Sequence, residues 1–151
     1  MAMRPSTGGG LGRDGGLASH MIVPAARFLC PLGDLDARAA APLTDAALST
    51  YHAIKRSLAV LRPGATAVVI GVGGLGQMAV QILKAVSPAR VIAVDLSAEK
   101  LALAKAFGAD ATVVSDDRAV EHVRDLCGGG AELVLDVVGS DATLQLAVGV
   151  S

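Results

Sequence analysis

The second part of the chain alternates between short apolar runs and longer segments whose apolar residues follow a helical spacing. The runs are VVI at residues 68–70, VIAV at 91–94, TVV at 112–114 and LVLDVV at 133–138. Each is short and rich in β-branched side chains, which is typical of buried strands. We therefore predict four strands that are covered on both faces.

Helical patterns lie between these runs. Spacings of i, i+3, i+4, i+7, i+8 and i+11 predict the inner face of one helix, formed by Leu75, Met78, Ala79, Ile82, Leu83 and Val86. Similar, shorter sets are Val120, Val123 and Cys127, and then Leu144, Ala147 and Val148. Strands that alternate with helices give right-handed βαβ units and an open parallel sheet. The predicted strand order is 3-2-1-4.

The first part of the chain lacks this regularity. Residues 1–16 are rich in glycine and almost without apolar side chains, so we predict a disordered tail. Residues 17–32 hold two apolar runs separated by Pro24, which predict short antiparallel strands. Helices are predicted over residues 34–41 and 44–57. The resulting domains are the tail, a remnant of another domain at 17–43, and an α/β domain at 44–151.

Composition narrows the class of protein. The 151 residues suit one core, and 52% are hydrophobic but only 2% aromatic, which favours helices packed closely on a sheet. A net charge of -1 gives no general field that would attract nucleic acid or an anionic membrane. The two cysteines make a disulfide framework unexpected, and no apolar stretch is long enough for a membrane span. We expect a cytoplasmic protein.

The segment GVGGLG at residues 71–76 follows the first predicted strand and opens the best amphipathic helix. In a GxGxxG loop, Gly71 allows a tight turn, Gly73 lets the backbone approach a pyrophosphate, and Gly76 lets the helix pack close to the strand. Backbone N–H groups near Gly74 and Leu75 would then bind the phosphates with the helix dipole behind them. The motif alone is weak, because structural turns, flavin enzymes and methyltransferases have related loops.

Asp95 strengthens the motif, since it ends the next predicted strand 19 residues after Gly76. Dinucleotide-binding units place a ribose-binding acid about 20 residues after the loop. No arginine follows in LSAEK to neutralise a 2′-phosphate, so NAD is favoured over NADP. The alternative is a strand-end acid without a ligand, with Ser97 as the N-cap of the next helix. The predicted fold class is α/β, a Rossmann-type doubly wound parallel sheet that is incomplete, because only about four of six strands are expected.

These residues, together with PLTDAALSTYHAI before them and KLALAKAFGAD after them, closely resemble zinc-dependent medium-chain alcohol dehydrogenases. The similarity runs from about Gly16 to Val148, so residues 17–43 would be a remnant of the catalytic domain. The resemblance implies NAD as cofactor, with contacts from Ser49, Gly74, Leu75, Asp95, Lys100, Val138 and Gly139. For Val138 and Gly139 the alternative is an ordinary turn at a strand end.

The resemblance also assigns Asp45 to the third protein ligand of the catalytic zinc. The alternative is that an acid in the first turn of a helix interacts favourably with the dipole without any metal. The family's other two ligands, a Cys and a His, belong before Gly16 and are absent. Because a catalytic zinc needs three protein ligands, we do not expect this chain alone to hold zinc or to be active.

The resemblance implies NAD-dependent oxidation of an alcohol to an aldehyde or ketone by the intact zinc-dependent enzyme, with this chain as mainly its cofactor-binding part. Two alternatives stay open: a non-catalytic dinucleotide-binding module, and a methyltransferase-like fold that binds S-adenosylmethionine. The expected partner is a small alcohol or carbonyl substrate, without nucleic acid or membrane. An unpaired strand edge leaves homo-oligomer formation open.

Overall fold

The computed structural model describes residues 9–10 and 14–151. The chain divides into two compact units, Met1–Ala37 and Arg38–Ser151. This division falls between residues 37 and 38, whereas the sequence places the domain boundary between residues 43 and 44. Most of the predicted disordered tail, residues 1–8 and 11–13, lies outside the described residues.

Among the described residues before Ala37, one short helical element occurs, the 3₁₀ turn Ala26–Phe28. The prediction of short antiparallel strands within residues 17–32 is wrong, because no residue of that range is in a strand. Leu17, Ile22 and Leu29 leave most of their surface exposed. A short apolar run becomes a strand only when a neighbouring strand takes up its backbone hydrogen bonds, and neither run has such a neighbour among the residues that the structure describes.

A series of helical turns begins at Ala37, the last residue of the first unit, and continues into the second unit. Helix α1 spans Ala37–Ala40, a 3₁₀ turn spans Ala41–Thr44, and helix α2 spans Ala46–Ser57. Pro42 lies in the first turn of the 3₁₀ segment, where no backbone N–H is required, so it does not separate the helices. The predicted long helix is confirmed with a start two residues later, while the predicted helix over residues 34–41 is shorter.

A four-stranded parallel sheet forms the centre of this unit. Its strands are β1 Thr66–Ile70, β2 Arg90–Asp95, β3 Ala111–Val114 and β4 Leu133–Asp136. The helices that follow them are α3 Gly74–Val86, α4 Ala98–Ala106, α5 Ala119–Cys127 and α6 Asp141–Val150. The order β3-β2-β1-β4 confirms the predicted topology, with β3 and β4 at the edges of the described sheet. Strand β4 ends two residues before the predicted run does.

Side chains of the sheet alternate between two cores, one on each face. Val69 and Val91 belong to a core with residues of α2, α3 and α4. Val68 and Ile92 belong to a second core with residues of α5 and α6. All five residues of β1 are buried. Both faces are therefore covered, as a doubly wound sheet requires.

The predicted helix faces are only partly correct. In α3, Ala79 and Leu83 are buried as predicted, but Leu75 is exposed. Val80, which the predicted face does not include, is buried. In α6, Leu144 and Val148 are 59% and 70% exposed, whereas Leu146 and Val150 are buried. The sequence DATLQLAVGV is apolar around most of the helix, so its spacing does not single out one face.

None of the described helices is both long and apolar enough to cross a membrane.

Candidate functional site

A cleft of about 640 Å³ opens at the carboxyl edge of the sheet. The register brings the ends of three strands together there, since Ile70 pairs with Val94 and with Asp136. The lining residues are Pro42, Asp45, Ala46, Gly71, Gly73, Gly74, Leu75, Gly76, Asp95, Lys100, Val137 and Val138. This edge is where open α/β sheets bind their ligands.

Gly71 and Gly76 are required by the packing of the protein itself. Gly71 has φ +90°, and a Cβ atom there would collide with Cγ2 of Val138. A Cβ atom on Gly76 would overlap the carbonyl oxygen of Gly71. The start of α3 therefore lies against the turn that leaves β1, as the loop motif predicts.

Gly73 and Gly74 meet no such restriction. A Cβ atom on either glycine would have no described atom within 4 Å. Gly73 is the N-cap of α3 and offers no side chain to the first N–H groups of the helix. Free N–H groups at a helix start attract anions, because the helix dipole adds to their partial charge. The open space beside these two glycines therefore suits a phosphate.

Asp95 is fixed at the side of the cleft by two loops. Its Oδ2 accepts a hydrogen bond from the N–H of Val72 at 2.7 Å, and its Oδ1 accepts one from the N–H of Ser97 at 2.8 Å. The side chain of Ser97 accepts a bond from the N–H of Lys100 at 3.4 Å. Ser97 is thus the N-cap of α4, as the sequence suggested, and Asp95 is not needed for that role.

A second cleft, of about 710 Å³, adjoins the first. The two share Gly71, Asp95, Lys100 and Val138. The second cleft extends across the carboxyl ends of β2 and β3, and polar side chains line it, among them Ser97, Ser115, Asp116, Asp117, Thr143 and Gln145. Asp95 and Lys100 therefore lie where the first cleft meets the second.

Asp136 shapes the turn between β4 and α6. Its Oδ1 accepts hydrogen bonds from the N–H groups of Val138 and Gly139 at 2.9 and 3.2 Å. Partial burial acts to raise the pKa of Asp136, but these bonds and one from the Thr143 side chain outweigh it, and the pKa lies below its ordinary value. The turn holds Val138 against Gly71. Gly139, with φ +75°, is on the turn but does not line the cleft.

Asp45 and Ser49, the two candidates on α2, differ in position. Asp45 lines the first cleft at the N-cap of α2, and its side chain makes no capping hydrogen bond there. Ser49 lies one turn further on, donates its N–H to the Asp45 carbonyl at 2.9 Å, and is not among the lining residues. In the described part of the chain, no three His, Cys, Asp or Glu side chains come close enough to hold a metal ion. These residues alone therefore do not fit a zinc site.

Two residues of the glycine loop and its helix, Val72 and Gln77, were not among the predicted site residues. Val72 is fully buried, and its N–H is the group that bonds Asp95. Gln77 donates from Nε2 to the Val72 carbonyl at 3.4 Å. An apolar residue between two loop glycines was the available signal for Val72, while the role of Gln77 depends on the helix position.

Comparisons with known proteins agree on one family. The sequence model of the family described as "Zinc-binding dehydrogenase" matches residues 74–150. The chain is 43% identical to an NAD-dependent alcohol dehydrogenase from Sulfurisphaera tokodaii over 140 residues, which are 91% of this chain and 40% of that protein. A second NAD-dependent alcohol dehydrogenase, from Saccharolobus solfataricus, is 40% identical with the same coverage. The chain thus spans about 40% of the length of these curated relatives.

Solved structures give the same result. The alcohol dehydrogenase from Aeropyrum pernix superimposes with a TM-score of 0.84 at 40% identity, covering 94% of this chain and 42% of that one. The D-arabinose dehydrogenase from Sulfolobus solfataricus also gives 0.84, at 29% identity, covering 94% and 45%.

Proposed function

The chain belongs to the zinc-binding dehydrogenase family, and on that premise we propose that it binds NAD at the carboxyl edge of its sheet. We further propose that the protein oxidises an alcohol to an aldehyde or ketone, with this chain supplying mainly the cofactor-binding part. The names of the relatives, NAD-dependent alcohol dehydrogenases, support both steps.

One observation in particular supports the proposed binding mode. The open space beside Gly73 and Gly74 lies in the same cleft as Asp95. The pyrophosphate would bind to the first N–H groups of α3, so the negative charge is met by backbone groups and the helix dipole. Val138 would lie beside the cofactor. Gly71 and Gly76 hold the loop but need not contact the ligand.

Asp95 would accept hydrogen bonds from the adenosine ribose hydroxyls, and Lys100 would flank the adenosine. Each bond to a charged group contributes on the order of 1.5 to 3 kcal/mol. The adenine would occupy the second cleft, across the ends of β2 and β3. A 2′-phosphate would meet the carboxylate of Asp95 as a like charge, so NAD is favoured over NADP.

This chain would contribute to the reaction by positioning the cofactor. The nicotinamide ring, when bound, accepts or donates the hydride. The glycine loop and Asp95 would fix the pyrophosphate and ribose, and this fixes where the ring can lie. Ser49 remains our proposed residue beside the nicotinamide and Gly139 a proposed contact, on the resemblance alone. Asp45 is the only candidate metal ligand that we name, and we assign no step to a metal held by the described residues.

The substrate proposed is a small alcohol or carbonyl compound, and the proposed compartment is the cytoplasm. Cys30 and Cys127 are both free thiols, as is usual in that compartment.

Isothermal titration calorimetry of the chain with NADH, NADPH and S-adenosylmethionine tests the proposal. We expect NADH to bind at least about tenfold more tightly than NADPH, because the 2′-phosphate opposes the charge of Asp95. Tight binding of S-adenosylmethionine alone would instead identify a methyltransferase-like site. Formation of NADH from NAD and an alcohol by the whole protein tests the oxidation.

A further inference from the structure

The carboxylate of Asp95 connects two loops that are far apart in the sequence. Val72 belongs to the loop between β1 and α3, and Ser97 to the loop between β2 and α4. Each donates its backbone N–H to a different oxygen of Asp95, at 2.7 and 2.8 Å. One side chain thus sets the distance between the glycine loop and the start of α4.

The bond to Val72 comes directly after the last hydrogen bond between β1 and β2. The N–H of Gly71 donates to the backbone carbonyl of Val94 at 2.7 Å, as in a parallel ladder. The next N–H along the chain, that of Val72, donates to the side chain of Asp95. Consecutive residues of a strand face opposite sides, so the N–H of Val72 points toward β2 only because the chain has already turned at Gly71, which has φ +90°. Its acceptor there is a side-chain carboxylate and not a backbone carbonyl.

The opposite side of Val72 is also held. Its side chain is fully buried in the core, and its carbonyl accepts the bond from Gln77 of α3. If Asp95 were lost, the buried N–H of Val72 would lack its partner, which is costly for a backbone group away from water. The turn that leads to Gly73 would then be less firmly fixed.

We propose that Asp95 is a positioning residue for the glycine loop, in addition to the ribose contact that the proposed function gives it. This inference rests on that function for its meaning in cofactor binding. The two roles are compatible, because an ionised carboxylate has about four acceptor sites and the two loops occupy two of them. The phosphate and ribose sites are therefore coupled through a single side chain.

Two ligands separate the roles. ADP carries the ribose hydroxyls, whereas 2′,3′-dideoxy-ADP lacks them and keeps both phosphates. If Asp95 only bound the ribose, Asp95→Ala would weaken ADP and leave dideoxy-ADP unchanged. We expect Asp95→Ala in the 151-residue chain to weaken dideoxy-ADP as well, by about tenfold, because a less ordered loop must be fixed on binding. Equal affinity of the variant and the unmodified chain for dideoxy-ADP would overturn the proposal.

Asp110→Ala is the matched control. Asp110 also accepts a backbone N–H, from Val91 at 2.7 Å, but its partners lie at the start of β2 and on α3, and it lines neither cleft. We expect the Asp110→Ala substitution to lower the free energy of unfolding without changing the affinity for either nucleotide. An equal loss of affinity in both variants would show that general destabilisation is the cause, and would also overturn the proposal.

Amide hydrogen exchange gives a readout that needs no ligand. In Asp95→Ala, the amides of Val72 and Ser97 should exchange at least about tenfold faster, while amides within β1 should not. Asp95→Asn, which keeps the shape of the side chain, can accept only one of the two bonds and should restore protection at one amide. If the unmodified chain bound neither nucleotide, the proposed function would fail, and unchanged exchange at Val72 would independently refute the positioning role.

Discussion

The glycines of residues 71–76 have different surroundings, so the same substitution should have different effects along the loop. Gly76 faces the Gly71 carbonyl at a distance that excludes a side chain, while Gly73 faces open cleft. Gly73 also has φ -80°, which an alanine adopts without strain. The folded protein requires a glycine at position 76, and the proposed ligand requires one at position 73.

We therefore expect Gly73→Ala to leave the free energy of unfolding within about 1 kcal/mol of its original value, because the new methyl group meets no neighbour. The affinity for NADH should fall by about tenfold or more, since the methyl group occupies the space of the phosphates. Gly76→Ala should lower the free energy of unfolding by about 2 kcal/mol or more through overpacking. Urea unfolding and NADH titration of both variants check this pair. Unchanged NADH affinity in Gly73→Ala would contradict the proposed binding mode.

Asp136 predicts a pH dependence of stability. Because its pKa is lower in the folded chain than in the unfolded one, its contribution is present above the ordinary carboxyl pKa and is lost as pH falls through the folded pKa. Asp136→Asn should therefore destabilise the chain at neutral pH, and the difference from the unmodified chain should shrink in acid. Urea unfolding between neutral and acidic pH measures it. Asp125→Asn, at an exposed position of α5, controls for net charge, and a difference independent of pH would refute the assignment.

At the residue scale, the sequence indicates positions in the site better than it indicates hydrogen-bond partners. Gly71, Gly76 and Asp95 could be predicted to lie close together because a loop motif fixes their spacing along the chain. The partners of Asp95 and Asp136 could not, because each accepts N–H groups that approach only when the chain folds. Their positions in the sequence indicate acids at strand ends, but not which backbone groups they bind.

At the scale of elements, the strands were predictable and the helix faces less so. A buried parallel strand needs an apolar run, and the runs at 68–70 and 91–94 are unbroken. Helix α6 is apolar on most sides, so its inner face is set by the position of the helix on the sheet. The apolar runs within residues 17–32 do not form strands, because an apolar run does not specify the strand with which it would pair.

A pair of substitutions in α6 tests which face is buried. Leu146 is 8% exposed and belongs to the second core, whereas Leu144 is 59% exposed. We expect Leu146→Ala to lower the free energy of unfolding by about 2 to 3 kcal/mol, because it leaves a cavity. Leu144→Ala should change it by less than about 0.5 kcal/mol. Urea unfolding compares the two, and equal losses would mean that the helix is turned differently on the sheet.

At the scale of the whole molecule, the described lining of the site belongs to one of the two compact units. Every described residue that lines either cleft at the carboxyl edge of the sheet belongs to Arg38–Ser151. The sheet, both cores and the glycine loop also lie within this unit. Cofactor binding should therefore depend on this unit alone.

A chain that begins at Arg38 should accordingly fold and bind NADH with an affinity within about threefold of the 151-residue chain, because none of the described lining groups is removed. Binding to the folded state alone also stabilises it, by about 2.7 kcal/mol when the free ligand is at 100 times its Kd. Both chains should therefore gain the same increment in unfolding free energy at equal saturation, whatever their stabilities without ligand. Calorimetric titration and urea unfolding with and without NADH measure the two quantities. A much weaker affinity in the shorter chain, with its unfolding still cooperative, would show that residues before Arg38 take part in the site.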